Sequence, residues 1–323
     1  MSLIQVQGIA YIRFQAPDLE RMRTFLRDFG LQDVWPDSAE AIQAQSPIDS
    51  LAMRGFGPAP FLHHTQRGEA GFLGFAFHAV SLADLEVLSK HETSPIESIL
   101  EPGGGYRVRL IDPDGVQVDV VTGQKEVPVI ERAARPDWNA VGAPLRVGAR
   151  KEMAPGPAHP WSLGHCVLGV ADFKASEHWY KSRFGLITSD EVCDAQGMPF
   201  GAFMRCDRGP VPTDHHSLFI IKARGKPGFN HAQFEVKDID DVLLGHEHLA
   251  ARGYSRMWGV GRHLVGSNVF DYWYDPWGHA LEHGTDVDLL TAADGSRKIS
   301  VDQLMAVQWG DVAPRPFVDE KHG

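Results

Sequence analysis

One strand-and-helix plan occurs four times in this chain, and that repetition restricts its possible folds more than any other feature. Residues 8–31 read as a strand, a Pro-Asp helix start, an amphipathic helix and a glycine stop at Gly30. Residues 163–186 follow the same plan. Gly185 stands where Gly30 does and His165 where Ala10 does, both 155 residues on, so the two copies align without a gap. Residues 71–78 with the helix start at 82–85 match residues 228–235 with 239–242 at an offset of 157, which sets His231 on Gly74. Residues 112–119 match 275–282 at an offset of 163, which sets Glu282 on Asp119. Each copy is a strand, a helix and then several short strands, so the chain reads as an α+β protein of four βαβββ modules, two per half.

A length of 323 residues fits two domains, each able to bury its own core. The expected division is an N-terminal domain at 1–130, a linker at 131–160, a C-terminal catalytic domain at 161–290 and a tail at 291–323. From about residue 126 to 160 the chain is rich in Pro, Ala, Arg and Gly and has neither helical nor strand periodicity. The sequence leaves the tail open between a folded-back cap and a loose end. With 42 acidic residues against 31 Lys plus Arg, the net charge of -11 argues against nucleic acid and anionic membrane as partners, and a small molecule fits better. No run of eighteen apolar residues occurs and the first residues lack signal-peptide features, so a cytoplasmic protein is expected. Cys166, Cys193 and Cys206, an odd number at unpatterned spacings, are expected to be reduced, buried thiols.

The repeat contains its own comparison. Where the second half has His165, His231 and Glu282, the first half has Ala10, Gly74 and Asp119, so the shared strands do not demand histidine there. Strand alternation puts His231 on one face with Gln233 and Glu235, and Ala232, Phe234 and Val236 on the other. Glu282 shares its face with the small Ala280, which leaves room around the carboxylate. His165 lies in a strand apolar on both faces, where an unpartnered imidazole is costly to bury. Two neutral imidazoles and one carboxylate make the facial triad typical of non-haem Fe(II), with three adjacent positions open. Zinc is the competing assignment for the same ligands.

The four-module plan resembles the vicinal oxygen chelate superfamily, also known as the glyoxalase/bleomycin resistance fold. The second half is similar to the type I extradiol, ring-cleaving catechol dioxygenases. The similarity rests on Leu163-Gly164-His165, Asp214-His215-His216-Ser217-Leu218, the stretch from Asn230 to Val236, Gly261-Arg262-His263, and Tyr272 with Pro276 and Glu282. The resemblance implies that each half is an incompletely closed mixed β-barrel and that His165, His231 and Glu282 hold Fe(II), with Mn(II) as the alternative. It also implies that His216 is the acid/base and that His263 and Tyr272 hydrogen-bond the substrate. The implied reaction is insertion of both atoms of O2 into a catechol-type ring next to the diol, in aromatic compound catabolism, by a homo-oligomeric enzyme. His215 and His216 are expected to point opposite ways as neighbours on a strand, and the resemblance favours His216.

Other residues in this half have plainer readings. Tyr272 alternates with Phe270 and Tyr274, a pattern that also fits core packing, and Trp258, Phe270, Trp273 and Tyr274 read mainly as core. His246, His248, His279 and His283 read as surface residues. Residues 266–268, Gly-Ser-Asn, depart from the family, whose members often place polar substrate contacts there. A metal-dependent glyoxalase-like isomerase or lyase of the same superfamily is the first alternative, but it usually has a fourth protein ligand, commonly a carboxylate, where Ala10 and its relatives offer none. A non-catalytic ligand-sequestering protein is the second.

Overall fold

Helix starts in this chain are set by capping side chains in the positions the repeat predicts. The structure is a computed structural model that describes residues 2–34, 49–131 and 138–314. Asp18, Asp172 and Asp238 accept from the backbone N–H of Arg21, Ala175 and Asp241, and Asp84 reaches back to the N–H of Ser81. Gly30 and Gly185 end their helices in the left-handed conformation, with φ of 110° and 69°.

The first half runs β1 (Val6–Ala16), α1 (Leu19–Phe29), β2 (Gln32–Asp33), β3 (Ser50–Arg54) and β4 (His63–Arg67). It continues with β5 (Gly71–Ala79), α2 (Leu82–Glu92), β6 (Ile96–Ser98), β7 (Tyr106–Ile111) and β8 (Gln117–Thr122). The second half repeats the order with β9 (Ser162–Val170), α3 (Phe173–Phe184), β10 (Leu186–Cys193), β11 (Pro199–Cys206), a short β12 (Thr213–Asp214) and β13 (Leu218–Lys222). Its last module is β14 (Gly228–Glu235), α4 (Ile239–Ala251), β15 (Arg256–His263), β16 (Val269–Tyr274) and β17 (Ala280–Thr285). These are four βαβββ modules.

Within each half the two modules meet through their first strands. The first sheet has the order β2-β3-β4-β1-β5-β8-β7-β6, and the second has β10-β11-β13-β9-β14-β17-β16-β15 at its centre. Both sheets are mixed, and neither closes into a barrel. The tail extends the second sheet at its two opposite edges: β19 (Arg297–Ser300) pairs with β10, and β20 (Val307–Gly310) pairs with β15. A short β18 (Leu289–Leu290) pairs with β12, and one helical turn, α5 (Val301–Leu304), joins the two edge strands. Through residue 310, then, the tail is folded onto the sheet; residues 315–323 lie outside the described part.

The strand register corrects one equivalence. Tyr11 pairs with Ala76 as His165 pairs with Gln233, and Ala76 and Gln233 correspond at the offset of 157. The counterpart of His165 is therefore Tyr11 and not Ala10. The reason is one extra residue in a helix: α1 has 11 residues and α3 has 12, so an offset that holds at the glycine caps is one too large in the strands before them.

A single apolar cluster runs through both halves. Phe29 of α1 meets Phe234 of β14 at 5.4 Å, and Phe77 of β5 meets Phe184 of α3 at 5.2 Å, so each half's first helix packs on the other half's second module. Tyr180 donates to Asp112 at 2.8 Å across the same boundary. His283 belongs to this boundary rather than to the surface: it is fully buried, stacked on Phe29, with Nε2 2.7 Å from the Phe29 carbonyl. His246, His248 and His279 are half-buried and paired with Asp271, Asp28 and Asp275. In the described part of 126–160 there is no helix or strand, and the segment ends with Ala158 buried against Gly30 and Gly245. All three cysteines are free and buried. No helix among the described residues is long and apolar enough to cross a membrane.

His63 gives the fold a pH dependence. It is fully buried beside Phe14, and burial pushes its pKa down to about 3. Below about pH 6.5 the unfolded chain takes up a proton at this position that the folded chain does not, so the stability lost as pH falls toward 3 is at most about 1.4 kcal/mol per unit from this residue. Above pH 6.5 it has no effect. Urea unfolding at several pH values should therefore show a shallower acid loss for His63→Phe than for the parent chain; parallel pH profiles would contradict this.

Candidate metal centre

Three adjacent strands of the second sheet bring the triad together. β14 lies between β9, antiparallel to it, and β17, parallel to it, and Gln233 sits at one register level with both His165 and Glu282. Side chains at one level of neighbouring strands share a face, and His231, two residues before Gln233, joins them. His165 Nε2 lies 3.3 Å from Glu282 Oε2 and 3.3 Å from His231 Nε2, and His231 Nε2 lies 3.4 Å from the same carboxylate oxygen. These residues form a buried group able to hold a metal ion.

The hydrogen bonds around the triad make it a receptor for a cation. Asn230 Oδ1 accepts from His231 Nδ1 at 2.7 Å, which places the His231 proton on Nδ1 and its lone pair on Nε2. Glu282 Oε1 accepts from Gln233 Nε2 at 3.2 Å and Asn268 Nδ2 at 3.1 Å. Glu282 Oε2 has no hydrogen-bond partner although it is buried. Burial, followed by the neighbouring histidines, holds His231 well below the usual histidine pKa, so it stays neutral. The short His231–Glu282 contact therefore sets a lone pair against a carboxylate oxygen and is not an ion pair. A divalent cation among the three atoms removes that repulsion, and the donor set fits one.

Gln233 has room to reach Glu282 because its flanking strands carry glycine. A Cβ at Gly284 would meet Gln233 Nε2 at 1.9 Å, and one at Gly164 would meet Gln233 Oε1 at 2.4 Å. No role is assigned to Gln233 or Asn268 from the sequence. The spacing of Gln233 two residues after His231 was the available signal, whereas residues 266–268 read only as a departure from the family.

The other predicted residues line the same cavity. His165, His216, His231, His263 and Tyr272 share it with the apolar side chains of Val167, Phe203, Phe219, Val265 and Leu304, and with Trp258 and Asn268. The His216 ring stacks on His165 with centroids 4.0 Å apart. Burial, then the histidines around it, keeps the His216 pKa well below its usual value. His263 Nε2 lies 2.9 Å from the Tyr272 hydroxyl, and burial pushes the His263 pKa down to about 3. Tyr272 stays a phenol, its pKa raised by burial and then by the Glu282 charge. Trp258 is a cavity wall, whereas Trp273 packs in the main core.

His215 and His216 do not alternate across a strand. They lie in the bend between β12 and β13 with their Nδ1 atoms 3.1 Å apart. His215 Nε2 lies 2.8 Å from Asp190 Oδ2, and Arg297 pairs with both oxygens of Asp190 at 2.8 Å. Spacing alone could not bring residues 190, 215 and 297 together, since their contact depends on the tail strand β19.

The first half places a different cation at the equivalent point. Asp119 accepts from Tyr11 at 3.0 Å and from both Arg109 Nε and Nη2 at 2.6 and 2.9 Å. Arg109 pairs with Asp119 as Tyr272 pairs with Glu282, and Phe61 stacks near Tyr11 as His216 stacks on His165. Gly74, the counterpart of His231, has φ of 154°, and a Cβ there would meet the Gln117 carbonyl oxygen at 1.8 Å. That half has a guanidinium where the second half has a cation receptor.

The family model for the Glyoxalase/Bleomycin resistance protein/Dioxygenase superfamily matches residues 162–283. Metapyrocatechase 2 of Cupriavidus necator is 28% identical over 320 residues, 97% of this chain and 92% of that protein. The 3-methylcatechol 2,3-dioxygenase of Pseudomonas putida is 26% identical over 294 residues, 87% of this chain and 90% of that protein. The substrate complex of homoprotocatechuate 2,3-dioxygenase from Brevibacterium fuscum superposes with a TM-score of 0.79 at 16% identity, covering 98% of this chain and 93% of that one. The Mn(II)-bound glyoxalase of Novosphingobium aromaticivorans superposes at 0.76 with 21% identity, covering 96% and 93%. Fold similarity of this kind accommodates both chemistries, so the site itself must distinguish them.

Two variants test the donor set. Glu282→Gln should abolish stoichiometric metal uptake. Asn268→Ala, which removes one of the two donors that turn Oε2 toward the histidines, should weaken uptake by roughly ten- to a hundredfold. Metal content after dialysis against a buffered divalent ion measures both, and full retention in Glu282→Gln would rule out this centre.

Proposed function

We propose that this chain is a member of the glyoxalase/bleomycin resistance/dioxygenase superfamily and, within it, an extradiol dioxygenase that cleaves a catechol ring next to its diol. The observation that carries this reading is a neutral, buried imidazole, His216, stacked on a ligand of a site with only three protein donors. Three donors leave adjacent positions for a diol and O2. No fourth His, Cys, Asp or Glu joins the group among the described residues, which favours ring cleavage over the glyoxalase reading. The names of the two sequence relatives, a metapyrocatechase and a 3-methylcatechol 2,3-dioxygenase, support the same reading.

Fe(II), with Mn(II) as the alternative, would be held by His165, His231 and Glu282 and would supply a Lewis acid for the diol and an electron path to O2. The protein does the rest through positioning and proton handling. A neutral His216 can take a proton from the bound diol near neutral pH and return it later. Tyr272 and His263, 2.9 Å apart, present a hydroxyl and an imidazole that can hydrogen-bond oxygen on the substrate. Val167, Phe203, Phe219, Val265 and Leu304 offer apolar surface to the ring and exclude water from it. No Lys or Arg lines this cavity among the described residues, so an uncharged catechol fits better than one carrying a carboxylate.

Anaerobically iron-loaded protein mixed with catechol or 3-methylcatechol in air-saturated buffer should consume one O2 per ring and produce the visible absorbance of a hydroxymuconic-semialdehyde-type product. No turnover of any mono- or bicyclic catechol at full iron loading would reject the reading. His216→Phe should lower kcat by roughly a hundredfold or more, the usual contribution of a positioned acid/base, with metal content unchanged. Loss of metal in that variant would show that His216 supports the centre instead.

A further inference from the structure

The outer face of His216 ends in a second histidine, a buried carboxylate and a guanidinium that the metal centre does not need. His215 is fixed at every polar atom. Its N–H donates to the Asp288 carbonyl at 2.8 Å, and its carbonyl accepts from Ser189 Oγ at 2.5 Å. Its Nε2 lies 2.8 Å from Asp190 Oδ2, and its Nδ1 lies 3.1 Å from His216 Nδ1. Asp190 is fully buried on β10, and its side chain is forked onto Arg297, the residue opposite it on β19. These contacts tie β10, β19 and the bend before β13 together directly behind His216.

We propose that His215, held by Asp190 and Arg297, is a positioning residue that fixes the proton of His216 on Nδ1 and leaves the His216 Nε2 lone pair for the cavity. The argument follows donors and acceptors from the tail inward. An Asp190 carboxylate held by a guanidinium can only accept, so His215 Nε2 must carry a hydrogen. Arg297 already balances the Asp190 charge, so a cationic His215 would bury a second positive charge against one carboxylate; the neutral ring is favoured, and its Nδ1 then has only a lone pair. Two Nδ1 atoms 3.1 Å apart need one proton between them, and His216 must supply it. His216 lines the cavity, and Nε2 is the nitrogen left to face it. A base must offer a lone pair to the diol proton, so this tautomer is the productive one. A free imidazole exchanges between two tautomers, whereas here the tail strand selects one. The inference rests on the reading of His216 as the acid/base.

Long-range 15N–1H spectra of histidine-labelled, metal-free protein test the tautomer directly. They should show His216 protonated on Nδ1 and His215 on Nε2. His216 protonated on Nε2 would overturn the proposal, and this measurement holds whether or not the protein turns over catechol. In the iron-loaded enzyme, His215→Phe should lower kcat by roughly tenfold or more, with KM for catechol and metal content within about twofold of the parent. His215→Asn, whose amide oxygen can stand in for the Nδ1 acceptor, should recover most of that loss. Asp190→Asn gives a second route should His215→Phe fail to fold, and the His216 signals of that variant should show mixed tautomers. Unchanged kcat in His215→Phe, or an unchanged His216 spectrum in Asp190→Asn, would refute the role. Absence of catechol turnover in the parent chain alongside the expected spectra would instead reject the proposed function.

Discussion

Crowding of unshared electron pairs at Glu282 Oε2 is the constraint on which the second half is built. A buried carboxylate oxygen without a donor costs several kcal/mol unless a cation meets it, and here the His231 lone pair points at the same spot, with His165 Nε2 3.3 Å away. Much of the local sequence serves this arrangement. Asn268 and Gln233 occupy Oε1 and thereby turn Oε2 inward, Gly164 and Gly284 give Gln233 the space to do so, and Asn230 orients His231. The apolar walls of the cavity then keep water from relieving the charge.

The first half solves the same problem differently. Its sheet also presents a buried carboxylate, Asp119, at the level of Glu282, and it too requires a positive partner. Arg109 provides one as a forked guanidinium, with Tyr11 as a further donor. Because the cation is part of the chain, the carboxylate needs no bound ion, and Gly74 has a backbone conformation that excludes a histidine side chain. One scaffold thus supports a closed, structural charge pair in one half and an open receptor in the other. The two halves stay together because each first helix packs into the core of the other half, with Phe29 on Phe234 and Phe184 on Phe77.

The tail joins the site to the edges of the sheet. β19 and β20 protect opposite edge strands, which would otherwise offer unpaired backbone groups, and Leu304 between them reaches the cavity wall. Arg297 on β19 also holds Asp190 and through it His215. Burial raises the Asp190 pKa, but the hydrogen bonds from His215 and Arg297 outweigh it and keep the carboxyl below its usual range. β19 therefore both covers the β10 edge and holds the Asp190–His215 pair behind His216.

By itself the sequence determined the four βαβββ modules and the presence of His165, His231 and Glu282 at corresponding strand positions, because strand alternation and repeat offsets are local properties of the chain. It misplaced the partner of His165, since a single extra residue in α3 shifts the offset between cap and strand and no local pattern reveals where it lies. It treated His215 and His216 as alternating strand neighbours and His283 as a surface residue, both wrongly. The first error came from a bend that follows the short strand β12, itself paired with β18, and the second from a packing surface supplied by the other half. Only tertiary structure decided which way the Glu282 oxygens turn, what stands behind His216 and what replaces the metal centre in the first half. Each of these depends on side chains many residues apart, such as Asp190 with Arg297 or Tyr11 with Asp119, whose meeting is set by sheet order and not by spacing.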